Sequence, residues 1–291
     1  MQPNTLTLAL LLAFIGVLGT AKRVTYATHS ETIDLTSPVQ PGSATTYLDL
    51  LRKLMTDAKA DSTAESTIPI RSISEPNKKE SIAGPIKFEM KPHWFNSEGK
   101  HLLMLQLDLT AEDANQGTPY GGEAVVLAVY KLEPAPTLLD ALEIKTDRFT
   151  GFWEDHPIFH LGSNNDAFIV YSSHFNAGES YSSLDMLFVD DGRFKHITSQ
   201  FLFETEGCGV TFKQTPSFRT VAAPGSKYPN VFVDVKVTKQ ADEPSCPRRT
   251  RGYTRNYQGL YRWNAVKRRY EGGSRQLDAL ARFNKTRVSS P

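Results

Sequence analysis

From residue 84 onward the sequence breaks into short apolar runs separated by turn chemistry, and this rhythm limits the fold more than any other feature. Ile86–Phe95 and His101–Leu109 flank Asn96-Ser97-Glu98-Gly99-Lys100, a hairpin signature. Glu123–Leu132 is almost continuously apolar, as a central strand is, and Glu133-Pro134-Ala135-Pro136 ends it. Leu138–Ile144 fits a strand or a short helix. Pro157–Leu161 and Ala167–Phe175 read as strands. Leu184–Val189 runs into Asp190-Asp191-Gly192, and Phe194–Phe203 returns. An Asp-Gly pair there predicts a type I′ turn, because glycine accepts the positive φ such a turn needs. Tyr228–Val237 alternates with period two. Tyr257, Gly259, Tyr261 and Trp263 share one face of a further strand, followed by Val266–Tyr270, and Gln276–Phe283 reads as a short closing helix. About twelve strands at this spacing predict a mostly β fold: an irregular or partial propeller-like arrangement, with a sandwich or barrel as the alternatives.

One helix precedes the β region. Thr46-Tyr47-Leu48-Asp49 resembles a capping box with Asp in place of the usual Glu. Tyr47, Leu50, Leu51, Leu54, Met55 and Ala58 recur at helical spacing and form one apolar stripe, which predicts a helix from Tyr47 to Ala58 docked on a core. Residues 22–45 are polar and rich in Ser, Thr and Pro, as a linker is. The expected organisation is therefore a leader over 1–21, a linker over 22–45, and a single β-rich domain over 46–291.

The leader rests on Leu6–Gly19, fourteen residues without a charge. That is short for a membrane span, which needs about 20, and suits the apolar region of a signal peptide. Gly19-Thr20-Ala21 and Thr25-Tyr26-Ala27 both offer small residues for cleavage. Lys22 and Arg23 follow the run while no base precedes it, a charge order that also suits an uncleaved anchor. The expectation is export to a periplasmic or extracellular location, with membrane contact only through such an anchor. The chain has two cysteines, Cys208 and Cys246; in an oxidising compartment a lone pair usually bridges, and the rival reading is two buried free thiols.

Composition excludes several classes. With 40% hydrophobic and 22% charged residues the chain is not wholly disordered. A mean hydropathy of −0.37 excludes a polytopic membrane protein. A net charge of +1 excludes a uniformly basic nucleic-acid binder. The charge is unevenly spread, however. Residues 246–291 carry twelve basic and two acidic residues, net +10, which leaves −9 on the remainder. Aromatics interleave with these bases. Arg255, Arg262, Trp263, Arg268 and Arg269 are therefore the candidate ligand-binding residues, and an anionic envelope polymer the candidate partner. The bland reading is a basic segment that pairs with an acidic body or forms a solvated outer strand.

His156 and His160 would share a face of an extended strand near Glu154 and Asp155, the pattern of a metal site. Ser163-Asn164-Asn165-Asp166 reads more simply as a turn. G-x-S-x-G, HExxH, GxxxxGK[ST] and GxGxxG are all absent, so no catalytic residue is assigned and no cofactor is expected.

FVDDGRFKHI and LYRWNAVKRRY look like strand-turn-strand edges of propeller blades. With YLDLLRKLMTDA, they make the chain similar to uncharacterised exported bacterial proteins with propeller-like strand repeats. The resemblance implies that fold and export, and no activity. The functional expectation is an exported non-catalytic binding or scaffold protein of the cell envelope. The alternative is a hydrolase acting on an envelope polymer, its carboxylates brought together from distant loops.

Overall fold

The computed structural model describes residues 33–65, 68–72, 79–82, 85–111, 124–144, 149–153, 158–176, 179–207, 210–241 and 251–288. The apolar leader, His156, Cys208 and Cys246 lie outside them. Among the described residues, no helix is long and apolar enough to cross a membrane.

The protein is mostly β, with two sheets, one of them curled into a half-barrel. The first sheet holds β1 (Thr63–Ala64), β2 (Ile68–Ser72), β3 (Lys79–Ile82), β4 (Ile86–Ser97), β5 (Lys100–Ala111), β6 (Ala124–Lys131) and β7 (Thr137–Ile144). Their order is β1-β4-β5-β6-β7-β2-β3. The second holds β8 (Phe149–Phe152), β9 (Ile158–His160), β10 (Asp166–Asn176), β11 (Glu179–Asp190), β12 (Arg193–Gly207), β13 (Val210–Val221), β14 (Asn230–Ala241), β15 (Tyr253–Asn264) and β16 (Arg269–Gly273). It runs β16-β15-β14-β13-β12-β11-β10-β8, with β9 also paired to β10. Strands β10 to β16 of the second sheet follow one another as a meander, whereas in the first sheet β4 to β7 run in order and β2 joins the β7 edge in parallel; the mostly β expectation holds.

Period-two alternation sorts side chains into three cores. Between the sheets, Phe95, Met104, Leu127 and Val129 of the first meet Phe168, Val170, Leu187 and Val189 of the second. On the far side of the first sheet, Leu103, Leu105 and Leu107 pack against α1 (Tyr47–Leu54). Inside the curl of the second sheet, Met186, Phe188, Val231, Val233 and Val235 surround Leu277 and Leu280 of α2 (Arg275–Val288).

The capping box of α1 forms as expected. Asp49 N–H donates to Thr46 Oγ1 at 3.1 Å, and Thr46 N–H to the Asp49 carboxylate at 2.9 Å. The helix stops at Leu54 instead of Ala58, and Met55 is already extended. Thr56 and Asp57 are weak helix formers, and the stripe continues into a turn where Met55 and Ala58 stay buried. The expected linker joins the core before the helix: Leu35 and Val39 are buried in the same cluster.

Both short turns are tight. Glu98 and Gly99 have φ of 52° and 72°, and Asp191 and Gly192 have 52° and 70°. These are the paired positive values of the two-residue turn that Asp-Gly predicts. Gly259 has a different reason. A Cβ there would overlap Leu277 Cδ1, so the bare backbone lets α2 approach β15.

Leu51 is fully buried. Leu51→Asp places an unpaired carboxylate in that core and should cost about 4 kcal/mol in a denaturant titration. An unchanged midpoint would show that α1 is peripheral.

Candidate functional site

The turn of the β11–β12 hairpin carries an acidic residue that the fold buries. Asp190 has no exposed surface. Its carboxylate accepts from Lys227 Nζ at 2.7 Å, Tyr228 Oη at 2.8 Å, Arg268 Nη2 at 2.7 Å and Arg268 Nε at 3.1 Å. Burial pushes its pKa upward, but the bonds from Lys227, Tyr228 and Arg268 outweigh that and hold it below the usual carboxylate range. Lys227 also pairs with Glu98, in the β4–β5 turn of the other sheet. An aromatic cluster backs the knot. Trp263 lies edge-on to Tyr228 at 4.9 Å and to Phe188 at 5.8 Å, and Tyr270 donates to the Pro229 carbonyl at 2.8 Å.

Beside this knot, β16 comes back alongside β12, and a cleft of about 800 Å³ opens between them. Neither facing edge is laddered to the other: β16 ends its sheet, and β12 pairs β13 only over Thr205–Gly207. Arg193, Lys195 and His196 line one wall; Lys267, Arg268, Arg269 and Glu271 line the other. Apolar and aromatic groups, among them Phe194, Ile197, Tyr261 and Tyr270, complete the lining, and Arg71 reaches in from β2.

The cations differ in how far they are neutralised. Arg71 pairs with Asp140, which also accepts the Phe194 N–H at 2.8 Å. Arg268 is committed to Asp190 and Asp191. His196 Nε2 lies 3.4 Å from Asp185. Lys267 and Arg269 share the single carboxylate of Glu271, at 2.8 and 2.7 Å. The bonds from Lys267, Arg269 and Asn264 hold Glu271 down to about 2, so it stays charged at any ordinary pH. Among the described residues, Arg193 and Lys195 have no acidic partner. The cleft therefore keeps a local excess of positive charge.

The five candidate residues of the basic segment separate. Arg262 faces Glu271 across the β15–β16 ladder, which puts it on one face with Arg269. Trp263, opposite Tyr270, is turned into the aromatic cluster. Arg268 is the partner of a buried carboxylate. Arg255 lies at the far end of β15, its guanidinium 5.3 Å from the Tyr253 ring. Only Arg268 and Arg269 line the cleft. Arg193 and Lys195 lie some seventy positions upstream of them in FVDDGRFKHI, where nothing but alternate basic residues after a turn marks them.

Of the metal candidates, His160 is largely exposed and bonds Asp166 at 2.6 Å through Nδ1. Asp166 also accepts the Asn96 N–H at 2.7 Å, and Asn165 accepts the Glu98 N–H at 2.7 Å. The Asn164–Asp166 turn thus fastens one sheet to the other. No group of three potential metal ligands occurs among the described residues. His93 is half-buried, edge-on to Phe152 at 4.5 Å, and desolvation lowers its pKa to about 4, which leaves it neutral at pH 7.

Comparison with protein-family models, with curated proteins and with solved structures finds no match for the chain.

Proposed function

We propose that the protein is an exported, non-catalytic binding or scaffold module of the cell envelope that takes an anionic ligand in the cleft between β12 and β16. One observation carries the reading. Arg193 and Lys195 line a partly enclosed space with aromatic groups and have no acidic partner among the described residues. The bland alternative, a basic segment neutralised by the acidic body, accounts for Arg268, held by Asp190 and Asp191, but does not bear on Arg193 and Lys195, which lie outside that segment. Arg255 and Arg262, both exposed, extend the positive field along β15.

The test is retention on immobilised heparin at low salt. Binding should weaken steeply as salt rises, because screening acts on exposed charges. The Arg193→Gln, Lys195→Gln double variant should lose at least about tenfold in affinity without a change in melting temperature, since both are surface groups. Absence of retention by the wild type would defeat the reading.

Export carries a second expectation, a Cys208–Cys246 disulfide. Its support lies in the neighbouring ladders. Gly207 pairs with Val210, and Val210 with Ala241, so the ends of β12 and β14, which precede the two cysteines, flank the same residue of β13. Non-reducing mass spectrometry of the secreted protein should show a mass lower by two hydrogens than that of the reduced form. Two free thiols would refute the bridge.

A further inference from the structure

The Glu271 carboxylate lines the cleft it would repel an anion from. It accepts from Lys267 Nζ at 2.8 Å, from Arg269 Nε at 2.9 Å and Nη2 at 2.7 Å, and from Asn264 Nδ2 at 2.8 Å. Three side chains, with four donor atoms, therefore converge on one small anion, in the manner in which a protein holds a carboxylate or phosphate group. Two of the three are full cations, so the group as a whole keeps a positive charge after Glu271 is counted. The opposite wall offers Arg193 and Lys195 with no such occupant.

We propose that Glu271 is a built-in stand-in for one anionic group of the ligand, and that the cleft takes a ligand with two or more anionic groups. One group displaces Glu271 from Lys267 and Arg269; another meets Arg193 and Lys195. The proposal rests on the anion-binding reading above and adds to it a valence and an internal competitor. Exposed ion pairs are individually weak, so displacing Glu271 is cheap for a ligand that replaces both bonds. A singly anionic group gains little, because it either competes with Glu271 on one wall or meets two solvated cations on the other. A ligand that spans both walls gains an effectively intramolecular second contact. Glu271 thereby sets a threshold that excludes abundant single anions and admits polyanions.

The chemistry shared by such ligands is a run of closely spaced phosphate, sulfate or carboxylate groups. Inorganic tripolyphosphate is the probe, with orthophosphate as the single-group comparator, titrated calorimetrically into the full chain at low salt. Tripolyphosphate should bind the wild type at least about tenfold more tightly than orthophosphate. Glu271→Gln keeps the side-chain shape and an acceptor for Asn264 while removing the competing charge. It should tighten orthophosphate binding about fivefold and narrow the gap between the two probes. Asp278→Asn, an exposed change of equal charge in the first turn of α2, should alter either affinity by less than about twofold, which separates local competition from net charge.

If Glu271→Gln binds orthophosphate no better than the wild type, or if Asp278→Asn matches its gain, the stand-in role is overturned while the cleft remains an anion site. Equal affinity of the wild type for the two probes overturns the required valence. If neither probe binds any of the three proteins, the anion-binding reading and this inference fall together.

Discussion

A carboxylate with no exposed surface ties this molecule together. Asp190 sits at the end of β11, where a two-residue turn reverses the chain, and it collects three side-chain donors, two of them cationic, from two other places in the sequence. A buried charge is tolerated only when paired and hydrogen-bonded, so Lys227, Tyr228 and Arg268 must be held where they are. Lys227 carries the constraint to Glu98 in the first sheet. Ser97 adds a bond from its hydroxyl to the Val189 carbonyl at 2.9 Å. The face-to-face apolar core supplies affinity between the sheets, while these directional bonds set their register. Because Arg268 belongs to the β15–β16 turn, the same knot fixes the wall of the cleft that carries Lys267 and Arg269.

A second constraint comes from incomplete pairing. The nine-stranded sheet opens between β12 and β13, which share a ladder only near their common turn. Backbone groups along that gap need partners. α2 fills it: Asn284, fully buried, donates to the Phe201 carbonyl at 2.6 Å and exchanges bonds with Gln214, whose Oε1 also accepts the Phe203 N–H at 3.3 Å. Two side-chain amides thus take the place of ladder bonds. The sheet curls around the helix instead of closing on itself, and the edge of β12 farther along is left facing β16 across the cleft.

Local chemistry made some elements legible and not others. The Thr46–Asp49 capping box, the Asp191-Gly192 turn and the alternation of β14 follow from a few adjacent residues, and all appear as expected. The strand β13 (VTFKQTPSFRTV) carries little period-two signal and contains Pro216, which reads as a breaker. The proline is accommodated because β14 alone pairs that stretch, so one edge stays open. The same limit applies to the site. The bases of residues 246–291 were visible as a charge excess, but pairing decides which are free. Arg268 is engaged by a buried aspartate 78 positions away. Arg193 and Lys195, without an acidic partner among the described residues, lie on a different strand, and only the tertiary fold brings them opposite Arg269.

The central claim is that one buried carboxylate organises both the sheet junction and the β16 wall. Hydrogen exchange followed by mass spectrometry, comparing the wild type with Asp190→Asn, tests it most directly. Removing the charge should cost about 3 kcal/mol. Protection should fall together in peptides covering the β4–β5 turn, the β11–β12 turn and the β15–β16 hairpin, while peptides of α1 and β5 follow only the global loss of stability. A variant that keeps wild-type protection at all three places would contradict the account.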